Sequence, residues 1–334
     1  MYAARGATAA FRAALLGLLG LLVAASLASP AFAQDYPNKP IRIIVPFTAG
    51  GAADVLVRLI AQGLTQRWGQ SVVVDNRAGA NGVVGTEVVA HSAPDGYTLL
   101  MGSVGTHAIN AGLYKNLPYD PVKDFAPIAI IGTTPNVFVI HSSLPARSVA
   151  EFIRYAKEHP DTITYATAGN GSSQHLSMVL FASMAGIKLV HVPYKGAAAA
   201  VPDLITGTVK TSMTGLTTAM PYVRTGQLRA IGVTTKERSA GLPDVPTIAE
   251  AGVPGYESVN WLGMFAPAGT PPQIVKKLNL AIVDITHINP AIKTRMAPDG
   301  FYFNRMTPEE TGAYIDSESK KWKAIIDKIG LRAQ

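Results

Sequence analysis

The sequence predicts an α/β fold built on parallel sheets, and three observations carry that prediction. Ile41-Arg42-Ile43-Ile44-Val45 is short, β-branched and nearly all apolar, as a strand covered on both faces would be. Phe47 to Asp54 then brings paired glycines, and Val55, Leu56, Leu59, Ile60 and Leu64 follow at helical spacing up to Gly69. The same order of strand, glycine turn and helix recurs downstream, and strands alternating with helices imply parallel pairing.

Ahead of this, Met1 to Ala33 has the pattern of a secretory signal peptide. Arg5 and Arg12 precede an apolar run over 13–23, and Ala31-Phe32-Ala33 fits the small-x-small cleavage rule, so the mature chain begins at Gln34. The run is short for a membrane anchor, and nothing later approaches the roughly 20 apolar residues a spanning helix needs. There is no cysteine, which excludes disulfides and lipid attachment through a thiol; the exported chain must be held by its core. About 300 mature residues suffice for two modest lobes or one large domain. The formal charge is +7, and without the two leader arginines 27 Lys+Arg stand against 22 Asp+Glu, or +5. No dense basic run interleaved with aromatics occurs, which argues against nucleic acid as a partner.

Element by element, Val72-Val73-Val74 is a strand, 75–82 a loop and Val83 to His91 a short helix. Pro94-Asp95-Gly96 makes a turn into a strand over Tyr97 to Met101, which ends in the small polar stretch Gly102 to His107, expected as a loop. Val137 to Ile140 is a strand, and Ser148 opens a helix to His159 with Glu151 three residues on, a capping box. Thr164 to Thr167 is a strand feeding Ala168 to His175 and a helix from Leu176 to Ala185. Leu189 to Gly196 is strand and loop, Ala197 to Thr206 is helical, Gly215 opens another helix, and Arg229 to Thr234 is a strand. Leu262 to Ala266 is a short apolar strand, and Pro271 to His287 and Pro308 to Lys328 are helices with proline where helix starts tolerate it.

Ligands of parallel sheets sit at the carboxyl ends of the strands, so the glycine loops converge on one crevice. Glycines let the backbone approach a ligand, and a helix start leaves N–H groups unpaired, an arrangement suited to an anion. The candidate loops hold Gly50, Gly51, Asn81, Gly82, Ser103, Thr106, Ser172, Ser173 and Thr217. Phe47, Thr48 and Gly171 flank them. Asp54 serves either the helix dipole or the ligand. His175 is open to packing or ligand contact, and Tyr194 and Trp261 to packing or an aromatic solute. Arg77 is expected to pair with Asp75 or another acid rather than to meet a carboxylate.

Pro46 to Asp54, Asn76 to Gly82, Gly169 to His175, Val192 to Gly196 and Ala266 to Pro271 together resemble the motifs of the Bug family, periplasmic solute receptors of tripartite tricarboxylate transporters. The resemblance covers the mature chain in order. It implies a two-lobed, Venus-flytrap fold of the type II periplasmic-binding-protein kind, each lobe a mostly parallel sheet flanked by helices. Lobe one is then 34–135 plus 261–334 and lobe two 136–260, joined by short crossings near Val137 to Ile140 and Leu262 to Ala266. It further implies a monomer in the periplasm that holds a small carboxylate (a di- or tricarboxylate, an aromatic acid or a related solute) and delivers it to the permease subunits of such a transporter. Relatives often carry an aspartate after Gly-x-Val in lobe two and an Asp or Asn shortly after. Here the stretch is Gly207-Thr208-Val209-Lys210-Thr211-Ser212-Met213-Thr214, which either favours a plain carboxylic acid over an ammonium-bearing solute or has no effect on the site.

Enzyme readings are weaker. There is no Gly-x-Ser-x-Gly elbow, His175 follows Ser172 and Ser173 too closely to be their base, and Gly169-Asn170-Gly171-Ser172-Ser173-Gln174 lacks the last small residue of a dinucleotide fingerprint. The seven histidines are scattered and lack cysteine partners, so neither metal nor cofactor is expected. An exported α/β hydrolase or lyase acting on a carboxylate is the alternative.

Overall fold

The computed structural model describes residues 36–331, so the signal peptide read at Met1 to Ala33 lies outside the described residues. Lys39–Gln334 forms one compact unit that holds the described strands and helices. β1 (Ile41–Val45) is buried along its length, with Ile43, Ile44 and Val45 at zero exposure. It pairs in parallel with β2 (Val72–Asn76) and with β3 (Thr98–Ser103). Between β1 and β2 runs α1 (Ala52–Trp68), which buries Leu56, Val57, Ile60 and Leu64 on one stripe and stops at Gly69, whose left-handed backbone returns its N–H to the Thr65 carbonyl. α2 (Val83–Ala90) makes the next crossover.

The stretch Gly102 to His107 is a correction to the expected loop. β3 continues through Ser103, and Gly105–Ile109 is a tight helical turn, buried throughout, that leads into α3 (Asn110–Leu113). Small polar residues look like surface in sequence. Here their hydroxyls bond backbone groups of the same turn, which removes the cost of burying them.

β4 (Phe125–His141) is also longer than its sequence suggested, because Pro127 and Pro135 interrupt the apolar pattern. Irregularities in its register between Pro127 and Ala129 and between Ile130 and Gly132 accommodate the break. α4 (Val149–Glu158), capped by Ser148 as expected, precedes β5 (Thr164–Thr167), α5 (Ser173–Ala185), β6 (Val190–Pro193), α6 (Val201–Thr206), β7 (Thr211–Gly215), α7 (Leu216–Arg224) and β8 (Leu228–Val233). β7 is too polar to read as a buried strand, yet Thr211 and Ser212 donate to the carbonyls of Val139 and Ala166. β9 (Val259–Pro267), α8 (Pro272–Ile288), α9 (Pro290–Met296), β10 (Tyr302–Phe303) and α10 (Pro308–Ile329) complete the unit. Among the described residues no helix is long and apolar enough to cross a membrane.

Two sheets with one plan result. The first has the order β2-β1-β3-β9-β4 and the second β6-β5-β7-β4-β8, with β10 added beside β4 in the first. In each sheet, four strands run one way, and a visitor from the other half of the molecule (β9 or the second half of β4) is inserted antiparallel. β4 leaves the first sheet parallel to β1 and β3, so their carboxyl ends point toward the second sheet. β5 to β8 run opposite to β4, so theirs point back.

Where β10 crosses β4, a methyl on Gly132 would stand 2.2 Å from the Phe301 ring and 2.3 Å from the Tyr302 carbonyl oxygen. Backbone cannot yield as a side chain does. Gly132→Ala is expected to reduce stability by about 1–3 kcal/mol, while Gly215→Ala, which meets no atom within 4 Å, costs under about 1 kcal/mol. Urea unfolding of the two variants checks this, and equal midpoints would overturn it.

Candidate functional site

Strand polarity brings the loops together, and contacts among their small residues show how closely. Within the first sheet, a Cβ on Gly82 would lie 2.7 Å from Thr106 Cγ2 and 3.4 Å from Pro46 Cβ, so the loops after β1, β2 and β3 pack against one another. Within the second, a Cβ on Gly169 would lie 3.4 Å from the Tyr194 carbonyl oxygen. Across the mouth between them, Asn81 Nδ2 donates to the Gly171 carbonyl at 3.1 Å, and Leu113 occupies the space a Cβ on Gly171 would need.

Three helices that open at this mouth start on glycine. α1, α2 and α7 start after Gly51, Gly82 and Gly215, and none of these ends has a side-chain cap. α4, α9 and α10 lie elsewhere and are capped by Ser148, Asn289 and Thr307. The N–H groups of Gly51, Ala52 and Ala53 have no acceptor among the described residues, and Thr48, Gly50 and Gly51 are exposed. A helix start left open in this way favours an anion through both its donors and its dipole. α5 is the exception at the mouth, because Ser172 caps it by accepting from the His175 N–H.

The remaining candidate side chains divide by what they already bond. Asp54 is buried and receives the Gly50 N–H, Arg58 and Asn76 Nδ2, so its carboxylate ties the glycine loop to α1 and β2. Burial pushes that carboxyl up, but the bonds from Arg58, Gly50 and Asn76 outweigh it and hold it below its ordinary value. Phe47 is half-buried and its carbonyl also accepts from Asn76. Ser103 Oγ accepts the Gly105 N–H, and Thr106 Oγ1 accepts the Ser103 N–H at 2.9 Å. Ser173 makes only a 3.5 Å contact to Gln174 and is half-buried, the freest hydroxyl of its loop. His175 Nδ1 accepts the Gly171 N–H at 3.1 Å while its ring stacks on His191 at 3.9 Å; burial and then His191 draw its imidazole down to about 3. Tyr194 donates to Asp203 Oδ2, and burial together with that carboxylate lifts its phenol to about 12. Thr217 donates to Asp299, on the short turn after α9. Arg77 pairs with Asp75 at 3.1 Å as expected, and Trp261 is a wholly buried packing residue whose indole donates to Glu318.

Sequence reasoning passed over Asn110, Tyr119 and His107. Asn110 and His107 have zero exposure and Tyr119 has 5%. His107 stacks on Phe265 of β9 at 3.8 Å, and its Nε2, like Thr214 Oγ1, has no partner among the described residues. The one available signal was a lone Asn inside the apolar run Ala108-Ile109-Asn110-Ala111. Two grooves on the outer side of α1 are not part of the mouth. The larger, about 800 Å³, is lined by Val55, Leu59, Pro290 and Ala291 with Arg58, Thr294 and Arg295. Among the described residues no cluster of His, Asp or Glu is arranged to hold a metal.

The sequence matches the family described as tripartite tricarboxylate transporter family receptor over residues 56–331. BugT of Bordetella pertussis (strain Tohama I) is 36% identical over 325 residues, 95% of this chain and 98% of that protein. A structure of an R. palustris protein with adipate is similar at TM-score 0.80 and 37% identity, covering 90% of this chain and 100% of that one. MatC of Rhodopseudomonas palustris with bound malate gives 0.76 and 33%, covering 87% and 100%. The hydrolase or lyase alternative finds no support here: the family is one of receptors, and Ser172 and His175 are engaged as a helix cap and its packed neighbour. A family match over most of its length and relatives 36–37% identical over nearly the whole chain place the fold among the two-lobed binding proteins, and the chain belongs to the tripartite tricarboxylate transporter receptor family.

Proposed function

We propose that this chain is a periplasmic receptor that takes a small carboxylate between lobe one, 34–135 plus 261–334, and lobe two, 136–260, and hands it, as a monomer, to the membrane subunits of its transporter. One observation carries the reading: α1 and α7 open at the mouth after glycines that supply no side-chain cap, and the Gly51, Ala52 and Ala53 N–H groups at the start of α1 have no acceptor among the described residues. The family's solved members with adipate and malate support the solute class. Carboxylate charge is met by backbone N–H groups around Gly51 and Gly215 and by hydroxyls such as Ser173, not by a dedicated arginine, since Arg77 is paired with Asp75. Asp54, His175 and Tyr194 act one layer back, holding the loops that present those donors.

A carboxylate that binds only the folded protein raises its melting temperature by mass action, by about 2.7 kcal/mol of stability at a hundredfold excess over Kd. A thermal-shift screen of mono-, di- and tricarboxylates and aromatic acids should give at least one hit, and chromatography should recover that hit unchanged. No hit, or a product, would sink the receptor reading.

Enlarging Gly51 should weaken binding most. Its φ of −75° suits any residue and a Cβ there meets nothing nearer than Thr48 O at 3.8 Å, so Gly51→Val folds and obstructs only the ligand's approach. Calorimetry is expected to show a loss of tenfold or more, about 1.4 kcal/mol. Ser173→Ala should lose about 0.5–1.5 kcal/mol, and Arg77→Ala little. If Arg77→Ala abolished binding while Gly51→Val bound normally, a salt-bridged carboxylate would replace the backbone cradle.

Acid should act on the fold before it acts on the cradle. His107 and His175 are held down to about 3 by burial from an ordinary 6.5, so the unfolded chain binds more protons than the folded one between those values. Stability should therefore be full above pH 6.5 and fall as pH drops toward 3. Affinity for a dicarboxylate should stay flat from pH 8 to about 6, because Asp54, held low, and Tyr194, raised to about 12, keep their charge states there. Calorimetry across that range tests it, and an affinity that rose on acidification through pH 6.5 would point to a titrating cation in the site.

A further inference from the structure

We propose that Asn110 and Tyr119 are positioning residues for the cleft: they hold Asn81 so that its side-chain amide engages the Gly171 carbonyl of the other lobe and favours the closed state. The inference rests on the receptor reading and concerns how that site closes.

Asn81 stands in the left-handed region, at φ 53° and ψ 37°, in the turn before α2. Asn tolerates that conformation better than most residues but does not prefer it, so something must hold the residue there. Asn110 grips it at two points. Asn81 Nδ2 donates to Asn110 Oδ1 at 2.9 Å, and Asn110 Nδ2 donates to the Asn81 carbonyl at 3.2 Å. The second hydrogen of Asn110 Nδ2 goes to Tyr119 Oη at 3.2 Å, and Tyr119 donates to the Thr106 carbonyl at 2.9 Å. The second hydrogen of Asn81 Nδ2 is the one that reaches Gly171.

The donor pattern allows one orientation of each amide. Reversing Asn81 would set its oxygen against the Gly171 carbonyl and Asn110 Oδ1. Reversing Asn110 would set its oxygen against the Asn81 carbonyl. Asn110 and Tyr119 are buried, with Asn110 at zero exposure, Asn81 is half-buried, and a half-satisfied buried network is worse than none. Its members therefore move as a unit that joins the loop after β2, the turn after β3 and the mouth of the other lobe. Tyr119 is seated independently of its hydroxyl by its edge-on contact with Phe125, centroids 5.9 Å apart, so Tyr119→Phe removes the bonds and leaves the ring in place.

The chain has no cysteine, so Val122→Cys and Met184→Cys, at exposed positions on the first and second lobes, give a spin-label pair without background. Interlobe distances are measured without ligand and with saturating adipate, and adipate affinity is measured alongside. Tyr119→Phe and Asn81→Gly, which keeps the left-handed backbone and loses the amide, should each lower the ligand-free closed fraction threefold or more. Where adipate binds the parent, its affinity should fall by a similar factor. Phe152→Leu, in the core against Phe138 and Phe181 and away from the network, should lower the melting temperature and leave the closed fraction alone, which separates positioning from packing. Unchanged closed fractions in both Tyr119→Phe and Asn81→Gly would overturn the proposal. Failure of the parent to bind adipate, malate or any other carboxylate of the screen would overturn the receptor reading instead, while the ligand-free distances still decide the role of the network.

Discussion

The two sheets share one long strand, β4, and the geometry of the site depends on that sharing. β4 gives its first half to one sheet and its second half to the other, and β9 runs antiparallel beside the first half. Once β4 must serve both, the polarity of every other strand is fixed relative to it. The carboxyl ends of β1 and β3 then face those of β5, β6 and β7, and the loops that follow them line one mouth. Polar groups bind the crossing points together. Asn136 exchanges bonds with Thr234, whose carbonyl accepts the Ser258 N–H, while Ser177 bonds both Asn136 and Ser258. These bonds tie β4, β8 and the start of β9 to one another where the chain passes between the two sheets.

What those loops offer an anion is mostly main chain. Glycine at Gly51 and Gly215 removes both the Cβ and the side-chain cap that a Ser or Asp would supply, leaving helix-start donors open. Charged side chains near the loops are already neutralised: Asp54 by Arg58 and Asp75 by Arg42 and Arg77. Such a cradle recognises a carboxylate without matching the rest of the solute, so a family can keep its loops and vary its ligand. The relatives solved with adipate and malate differ in that way.

Around the cradle, buried polar residues do the holding. His107 ties the turn after β3 to β9 by stacking on Phe265 and bonding Thr106, and the Glu318 carboxylate takes both the Trp261 and Trp322 indoles where α10 lies against the sheet. Each joins a ligand loop or a crossing strand to the rigid core. Loops supported like this are held in place by locked side chains and their bonds rather than by the loops alone.

The sequence by itself determined the local elements and the class. β1, α1 with its Gly69 stop, the Ser148 cap and the glycine-started helices follow from periodicity and capping chemistry, which act over a few residues. It also singled out the loops at the strand ends, because glycine pairs before a helix are visible in one dimension. Only the tertiary structure decided how the halves interlock and what the polar residues do. β7 and the second half of β3's loop region look like surface until the carbonyls that satisfy their hydroxyls are known, and β4 looks like a short strand until Pro127 falls at a register irregularity and Pro135 is found paired with Val259. Asn110 and Tyr119 carry no motif. Their partners lie 29 residues away for Asn81 and 13 for Thr106, and a hydrogen bond between residues that far apart in sequence exists only once the chain has folded.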